Sequence, residues 1–365
     1  MPWRVRLHLY IVSVMEGRAG GPAAWLLRCV LACGVPIYWV GLWLSRSITR
    51  PQRISCPIIS VGNLTVGGTG KTPVVAWLAE RLQQQGRRVA ILTRGYHRAL
   101  GATGLVDTDG VEAPAACYGD EPVLLARRLP RISVLVGDDR VANARGALQH
   151  RGVNLLLLDD GFQHWALARD LDVVLLDGAR PFGNGALLPL GTLREPDAAL
   201  RRAHLLLVHQ PDGTAEVSTA LRQRLQQLQI AAPVVPFRYR AVDVHEPLTG
   251  QTHPTDMLRG ARVRLLSSIA QPDRFEDLAR QLGAQVVTHV RYPDHHPYAA
   301  ADWRRFNDGH HEPWLTTEKD WMRLEPLARA SAGSAPVWVL RIDVALVNPD
   351  DEILIDNRLA GLLRP

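Results

Sequence analysis

The sequence predicts an α/β protein with two α/β/α (Rossmann-like) lobes, a two-stranded β linker between them and a membrane-seeking helical segment in front. Three observations predict it. Uninterrupted apolar runs of strand length alternate with runs of helix length, as in a parallel sheet covered on both faces. That alternation breaks once, at Pro233 to Thr249 (PVVPFRYRAVDVHEPLT), which alternates like a two-stranded ribbon. Ahead of everything, Pro22 to Leu44 is almost wholly apolar.

The elements follow in order. Cys56 to Val61 is an apolar run that ends in a glycine-rich loop, and Val74 to Leu82 is amphipathic. Arg88–Thr93, Ile132–Val136, Val153–Leu158, Leu171–Leu176 and His204–Val208 read as strands. Glu121–Leu129, Arg140–His150 and Ala215–Leu228 read as helices. After the ribbon, Val263–Ile269, Val286–Val290, Trp314–Thr317 and Val337–Ile342 are strands, with helices at Arg274–Gly283 and Ala299–His310. The expected organisation is residues 1–50 as a membrane-associated segment, 51–232 as the first lobe and 233–365 as linker and second lobe. A cleft between the lobes is the natural binding place.

As a helix, Pro22 to Leu44 would be about 34 Å long, enough for a hydrocarbon core of about 30 Å. Trp25, Tyr38, Trp39 and Trp43 are residues that favour a membrane interface, and Arg46, Arg50 and Arg53 place the following end on the cytoplasmic side. Arg28, Gly34, Pro36 and Gly41 argue equally for a kinked or interfacial helix. Met1 to Val14 reads as a leader before a more ordinary start at Met15.

The net charge is +6, carried almost entirely by arginine, with lysine almost absent outside Lys71 and Lys319. A basic excess suits anionic lipid or a phosphorylated substrate. Without an aromatic-interleaved basic run or finger spacing, nothing favours nucleic acid, and no obligate protein partner is expected. Cys29, Cys33, Cys56 and Cys117 are scattered and form no metal pair, which fits a reducing compartment.

Gly62-Asn-Leu-Thr65-Val66-Gly67-Gly68-Thr69-Gly70-Lys71-Thr72 carries the chemistry. Glycines let backbone N–H groups close around phosphate, and the following helix N-terminus adds positive potential. Thr65, Val66, Gly67, Gly68, Thr69, Gly70, Lys71 and Thr72 are the candidate nucleotide-binding residues. Lys71 would reach the outer phosphates and Thr72 would hold Mg²⁺. The common pattern has glycine where Thr65 stands, and the competing reading is a plain glycine-rich turn. Thr65 apart, the chain binds a nucleoside triphosphate by this reading.

Further polar residues gather at strand ends. Asp159 and Asp160, at the tip of an apolar strand, read as the second Mg²⁺ element or as solvated turn residues. Asp120 in Gly119-Asp-Glu-Pro122 reads as a helix cap or a catalytic acid. Asp294 and His295 follow a second-lobe strand and suit a base and its orienter. Arg194 and Glu195 lie in a long loop; either could serve phosphate or metal, or form a surface ion pair.

Together, VGNLTVGGTGKTP, TRGY (Thr93 to Tyr96), GDEP, DDGFQH, the stretch around RPFGNG and LRE, PDHH and TEKD run from Val61 to Asp320. This set, in this order, resembles the tetraacyldisaccharide 4′-kinases of lipid A biosynthesis. The resemblance covers most of the chain, and Thr65 is that family's own form of the phosphate loop. It implies transfer of the ATP γ-phosphate to the 4′-hydroxyl of a tetraacylated glucosamine disaccharide 1-phosphate, giving lipid IVA at the cytoplasmic face of the inner membrane. It implies ATP and Mg²⁺ as cofactors, Asp120 with His295 as a catalytic pair with Asp294 as the neighbouring acid, and Asp159 and Asp160 as Mg²⁺ and positioning residues; the loop and strand-end readings above add Lys71 to the catalytic residues and Thr72 and Glu195 to the metal residues. With the histidine in the second lobe and the ATP loop in the first, lobe closure would assemble the site and exclude water, and Asp120 and His295 would come together from different lobes. The rival is a membrane-associated P-loop nucleotide switch, a GTPase or partitioning ATPase; His209-Gln-Pro-Asp212 lacks the lysine of a guanine reader. A ligase acting on a soluble substrate fits the apolar segment poorly.

Overall fold

The computed structural model describes residues 3–68, 70–96, 98–99, 103–106, 115–306, 311–331 and 336–361. Thr69, one of the candidate nucleotide-binding residues, lies outside them. The chain divides into two compact units. The first comprises Met1–Leu92, Asp139–Arg238 and Val344–Pro365, and the second Thr93–Asp138 and Tyr239–Asp343.

The first unit is built on a parallel sheet. Residues 234–237 pair with strand Leu205–His209, followed by Leu171–Asp177, Ile58–Asn63, Leu155–Asp159 and Val89–Thr93. Ile58–Asn63 and Leu155–Asp159 are buried at every position. Strands with no exposed face are why these runs lack alternation. Ile58 pairs with Leu156 and Val61 with Asp159, so Ile58–Asn63 runs two residues beyond the end of its partner. Helix Lys71–Gln84 follows the phosphate loop and buries Val74, Val75, Leu78, Ala79 and Leu82. At Gly62 an added Cβ would meet the Phe162 Cβ at 2.6 Å, so glycine is required for the DDGFQH turn to come this close.

Before the sheet stand helices Trp3–Met15 and Pro22–Ile48. The second is long and apolar enough to cross a bilayer, and only 6% of its most apolar window is buried. Trp25, Ile37, Trp39 and Trp43 are exposed. The helix continues through Pro36. It touches the rest of the unit at mid-length, where Gly34 sits with a Cβ position 2.8 Å from Pro189 Cγ and the Tyr38 hydroxyl donates to the Arg194 carbonyl at 2.8 Å, and near its end, where Arg46 lies 4.8 Å over the Trp165 ring.

In the second unit, strands Gln285–Arg291, Arg262–Ser267, Trp314–Thr317 and Val337–Leu346 are parallel. Helices Pro272–Gln281, Ala300–Phe306 and Glu318–Arg329 belong to it. The expected two-stranded linker is built on one long strand, Val234–Glu246. Its start joins the first unit's parallel sheet, and residues 243–246 turn back antiparallel on Gln251–Pro254.

The units cut the chain differently from the sequence boundaries. Residues 93–138, expected in the first lobe, belong with the second unit, and 344–365 belong with the first. Helix Asp120–Arg128 packs on Glu318–Arg329. Arg127 pairs with Glu325, and Arg128 with Asp343 at 3.0 Å.

Candidate active site

The phosphate loop leaves the first unit's sheet at Asn63. Gly67 (φ 109°) and Gly70 (φ 73°) have backbone conformations that favour glycine, and Gly70 is the N-cap of helix Lys71–Gln84. No acidic residue stands in that helix's first turn, so its N-terminal potential is uncompensated. The loop is tied down from the side. Val66 N donates to the Thr192 carbonyl at 2.8 Å, and Arg194 N to the Leu64 carbonyl at 2.7 Å. Lys71 Nζ donates to Asn63 Oδ1 at 3.2 Å and lies 3.5 Å from Asp160 Oδ1.

Asp159 is buried at the end of its strand. Asp160 turns the chain with φ 53°, and Arg194 Nη1 reaches both its carboxylate oxygens, at 2.8 and 2.9 Å. Burial would raise the Asp160 carboxyl, but Lys71 and Arg194 outweigh it and hold it at about 2. Arg140 donates to the Asp160 carbonyl at 3.1 Å. Glu195 is buried and receives Arg202 Nη2 at 2.9 Å and Gln163 Nε2 at 3.1 Å. Gln163 Nε2 also donates to the Asn63 carbonyl at 3.1 Å. Loop, DDGFQH turn and LRE stretch thus form one hydrogen-bonded body. Arg194 is a central member of it, and sequence reading had left Arg194 between phosphate ligand and surface ion pair. Among the described residues no group of three or more His, Cys, Asp or Glu could hold a metal ion. Of the expected metal residues, Asp160 and Glu195 pair with arginines.

The second cluster lies wholly in the second unit. Asp120 begins helix Asp120–Arg128, and its Oδ1 accepts from Glu121 N at 3.0 Å. Its Oδ2 is 3.1 Å from His295 Nδ1 and 3.4 Å from Arg323 Nε. Burial would raise this carboxyl, but the His295 hydrogen bond with the Lys319 and Arg323 cations holds it at about 2. His295 has φ 58° and packs edge-on against Tyr96, centroids 5.4 Å apart. Its backbone N–H donates to the Ser268 carbonyl at 3.1 Å. Beneath it, fully buried Asp320 accepts from Ser268 N, Ser268 Oγ, Tyr298 Oη and Arg323 Nη2. Asp294 is less direct than expected: its Oδ1 is 3.8 Å from His295 Nε2 and 3.4 Å from Lys319 Nζ. Asp120 and His295 therefore meet inside one unit rather than coming from different lobes.

Comparison with known proteins shows the family. The family model described as tetraacyldisaccharide-1-P 4′-kinase matches residues 22–360. The chain belongs to this kinase family. The tetraacyldisaccharide 4′-kinase of Anaeromyxobacter dehalogenans strain 2CP-1 is 44% identical over 88% of this chain and 86% of its own length. That of Geobacter sulfurreducens is 35% identical over 92% and 95%. The crystal structure of LpxK from Aquifex aeolicus in complex with ATP matches with a TM-score of 0.70. It is 29% identical and covers 90% of this chain and 97% of that one. Family membership turns the comparison against the nucleotide-switch reading. The phosphate loop, the DDGFQH turn and the Asp120–His295 cluster all fall within the span that the kinase family model matches.

Proposed function

We propose that the protein phosphorylates the 4′-hydroxyl of a tetraacyl-glucosamine disaccharide 1-phosphate with ATP, giving lipid IVA. The observation that carries this is Lys71 at the head of an uncompensated helix N-terminus, in a chain whose family is the 4′-kinases. In the reaction the 4′-oxygen bonds to the γ-phosphorus and the bond to the β–γ bridging oxygen breaks. ADP leaves, and the hydroxyl proton passes to the Asp120–His295 pair. Phosphoryl transfer is mostly positioning and charge stabilisation. Lys71 and the loop N–H groups stabilise the phosphate oxygens, Arg194 holds Asp160, and the Asp120 carboxylate holds the His295 imidazole and stabilises its charged form as the pair accepts the hydroxyl proton. Bound Mg²⁺ would neutralise phosphate charge, with Thr72 and Asp159 as its protein donors. In a test with purified protein, labelled ATP and the disaccharide in detergent micelles, label should enter the lipid; label found only in free phosphate would refute the transfer.

The same reading places the enzyme at the cytoplasmic face of the inner membrane. Acyl chains leave lipid at about 0.8 kcal/mol per CH₂, so an enzyme seated on the bilayer needs to draw out only the headgroup. The exposed aromatics of Pro22–Ile48 and its mid-helix contacts to Pro189 and Arg194 support a helix lying along the surface beside the phosphate-loop unit. Protein lacking residues 1–45 should lose binding to anionic vesicles, and turnover of acylated substrate should fall far more than ATP affinity. Vesicle pelleting and normal turnover of the truncated form would contradict this.

A further inference from the structure

Helix Pro22–Ile48 has two different faces. Leu31, Gly34, Val35, Tyr38 and Leu42, at helical spacing, are partly buried, whereas Ile37, Trp39, Val40 and Trp43 are exposed. The inner face meets the long loop that carries Arg194. Gly34 and Tyr38 stand one turn apart on that face. At Gly34 an added Cβ would come within 2.8 Å of Pro189 Cγ, so helix and loop approach more closely than a side chain would allow. The Tyr38 hydroxyl donates to the Arg194 carbonyl at 2.8 Å. A membrane anchor needs neither contact. Further along, Arg46 lies over the ring of Trp165, which directly follows the DDGFQH turn.

The same loop is fastened to the phosphate loop. Thr65 and Leu193 form an antiparallel bridge, Val66 N donates to the Thr192 carbonyl at 2.8 Å, and Arg194 N donates to the Leu64 carbonyl at 2.7 Å. The Arg194 main chain is thus held twice, its N–H by the phosphate loop and its carbonyl by the helix. Its side chain reaches both oxygens of Asp160, at 2.8 and 2.9 Å, and Asp160 lies 3.5 Å from Lys71 Nζ. We propose that Tyr38 is a positioning residue for phosphoryl transfer: its hydroxyl fixes the Arg194 main chain, and through it the guanidinium that holds Asp160 beside Lys71. The membrane-seeking helix is then a working part of the phosphate-loop unit as well as its anchor. Tyr38 acts through Arg194, so its effect falls on alignment and not on affinity. ATP affinity stays with the phosphate loop, and attachment to lipid with the exposed apolar face. The proposal rests on the 4′-kinase reading above for the identity of the acceptor.

The test compares full-length Tyr38→Phe with the unsubstituted protein in detergent micelles. The change removes one oxygen from the inner face and leaves the outer face intact. kcat should fall about 10- to 100-fold, the scale of a small misplacement at a reacting centre. KM for ATP, KM for the acylated disaccharide and pelleting with phosphatidylglycerol vesicles should not change. In an Arg194→Ala background, Tyr38→Phe should cost almost nothing further, because the group it positions is already gone. A loss of vesicle binding or a raised lipid KM at constant kcat would make Tyr38 part of the anchor alone and overturn the proposal. So would an unchanged kcat, or the full additional loss in the Arg194→Ala background. Turnover is scored both as ATP consumed and as label in the lipid. Label that reaches free phosphate only, in the unsubstituted protein, refutes the 4′-kinase reading, and the role of Tyr38 is then decided by ATP consumption in the same variants.

Discussion

Lys71→Ala should lower kcat by about two to three orders of magnitude, the range for removing one preorganised donor to a developing negative charge. Lys71 heads the helix and reaches Asn63 and Asp160, which places its ammonium between the phosphate loop and the strand-end acids. Its removal should leave the fold in place. Arg194 still pairs with both oxygens of Asp160, and the loop remains fastened by Val66 N and Arg194 N. Thr72→Ala should also reduce kcat by orders of magnitude, through loss of an oxygen donor to Mg²⁺. Steady-state kinetics beside a thermal melt separates the outcomes: a large kcat loss at unchanged Tm fits, and near-normal kinase activity in Lys71→Ala removes the phosphate-loop assignment.

The second large effect belongs to Asp120 and His295. Each alanine variant should lower kcat by about two to four orders of magnitude, the usual contribution of a positioned acid or base. Because they share one hydrogen bond and act on one proton, the double variant should be little worse than the worse single one. ATP KM should hardly move. Asp120 is held at about 2, so its protonation does not limit the rate near neutral pH in the free enzyme. The sign for stability follows: a carboxyl lowered on folding contributes stability above its ordinary value, and that contribution is lost as pH falls from about 4 to about 2. Additive losses in the double variant would mean independent roles. A large rise in ATP KM at constant kcat would make Asp120 a nucleotide or metal residue.

The sheet of the first unit was legible because its strands are buried on both faces and their sequences carry nothing but that fact, as in LLLL before Asp159. The phosphate loop was legible because its glycines, its lysine and its helix are contiguous. The helix Glu318–Arg329 was not. Pro326 and its charges disguise a face that buries Trp321, Met322 and Leu324, and packing there outweighs local preference. Nor could the sequence place residues 93–138 in the second unit. What holds them there is pairing at long separation, Arg127 with Glu325 and Asp120 with His295, which no local pattern encodes. Arg194 and Lys319 stayed ambiguous for the same reason. The scarcity of lysine singles out Lys319, but only the fold sets its ammonium against His295, Glu121 and Asp294.

The central claim is that these residues direct the γ-phosphate of ATP onto one sugar hydroxyl. The most direct measurement is phosphorus–proton correlation NMR of the lipid product made by the full-length protein. The account predicts a new phosphate monoester coupled to the proton at the 4′-carbon, with the 1-phosphate unchanged, and almost no such product from Asp120→Asn. A new phosphate attached at the 1-phosphate or another hydroxyl, or equal product from Asp120→Asn, would contradict it.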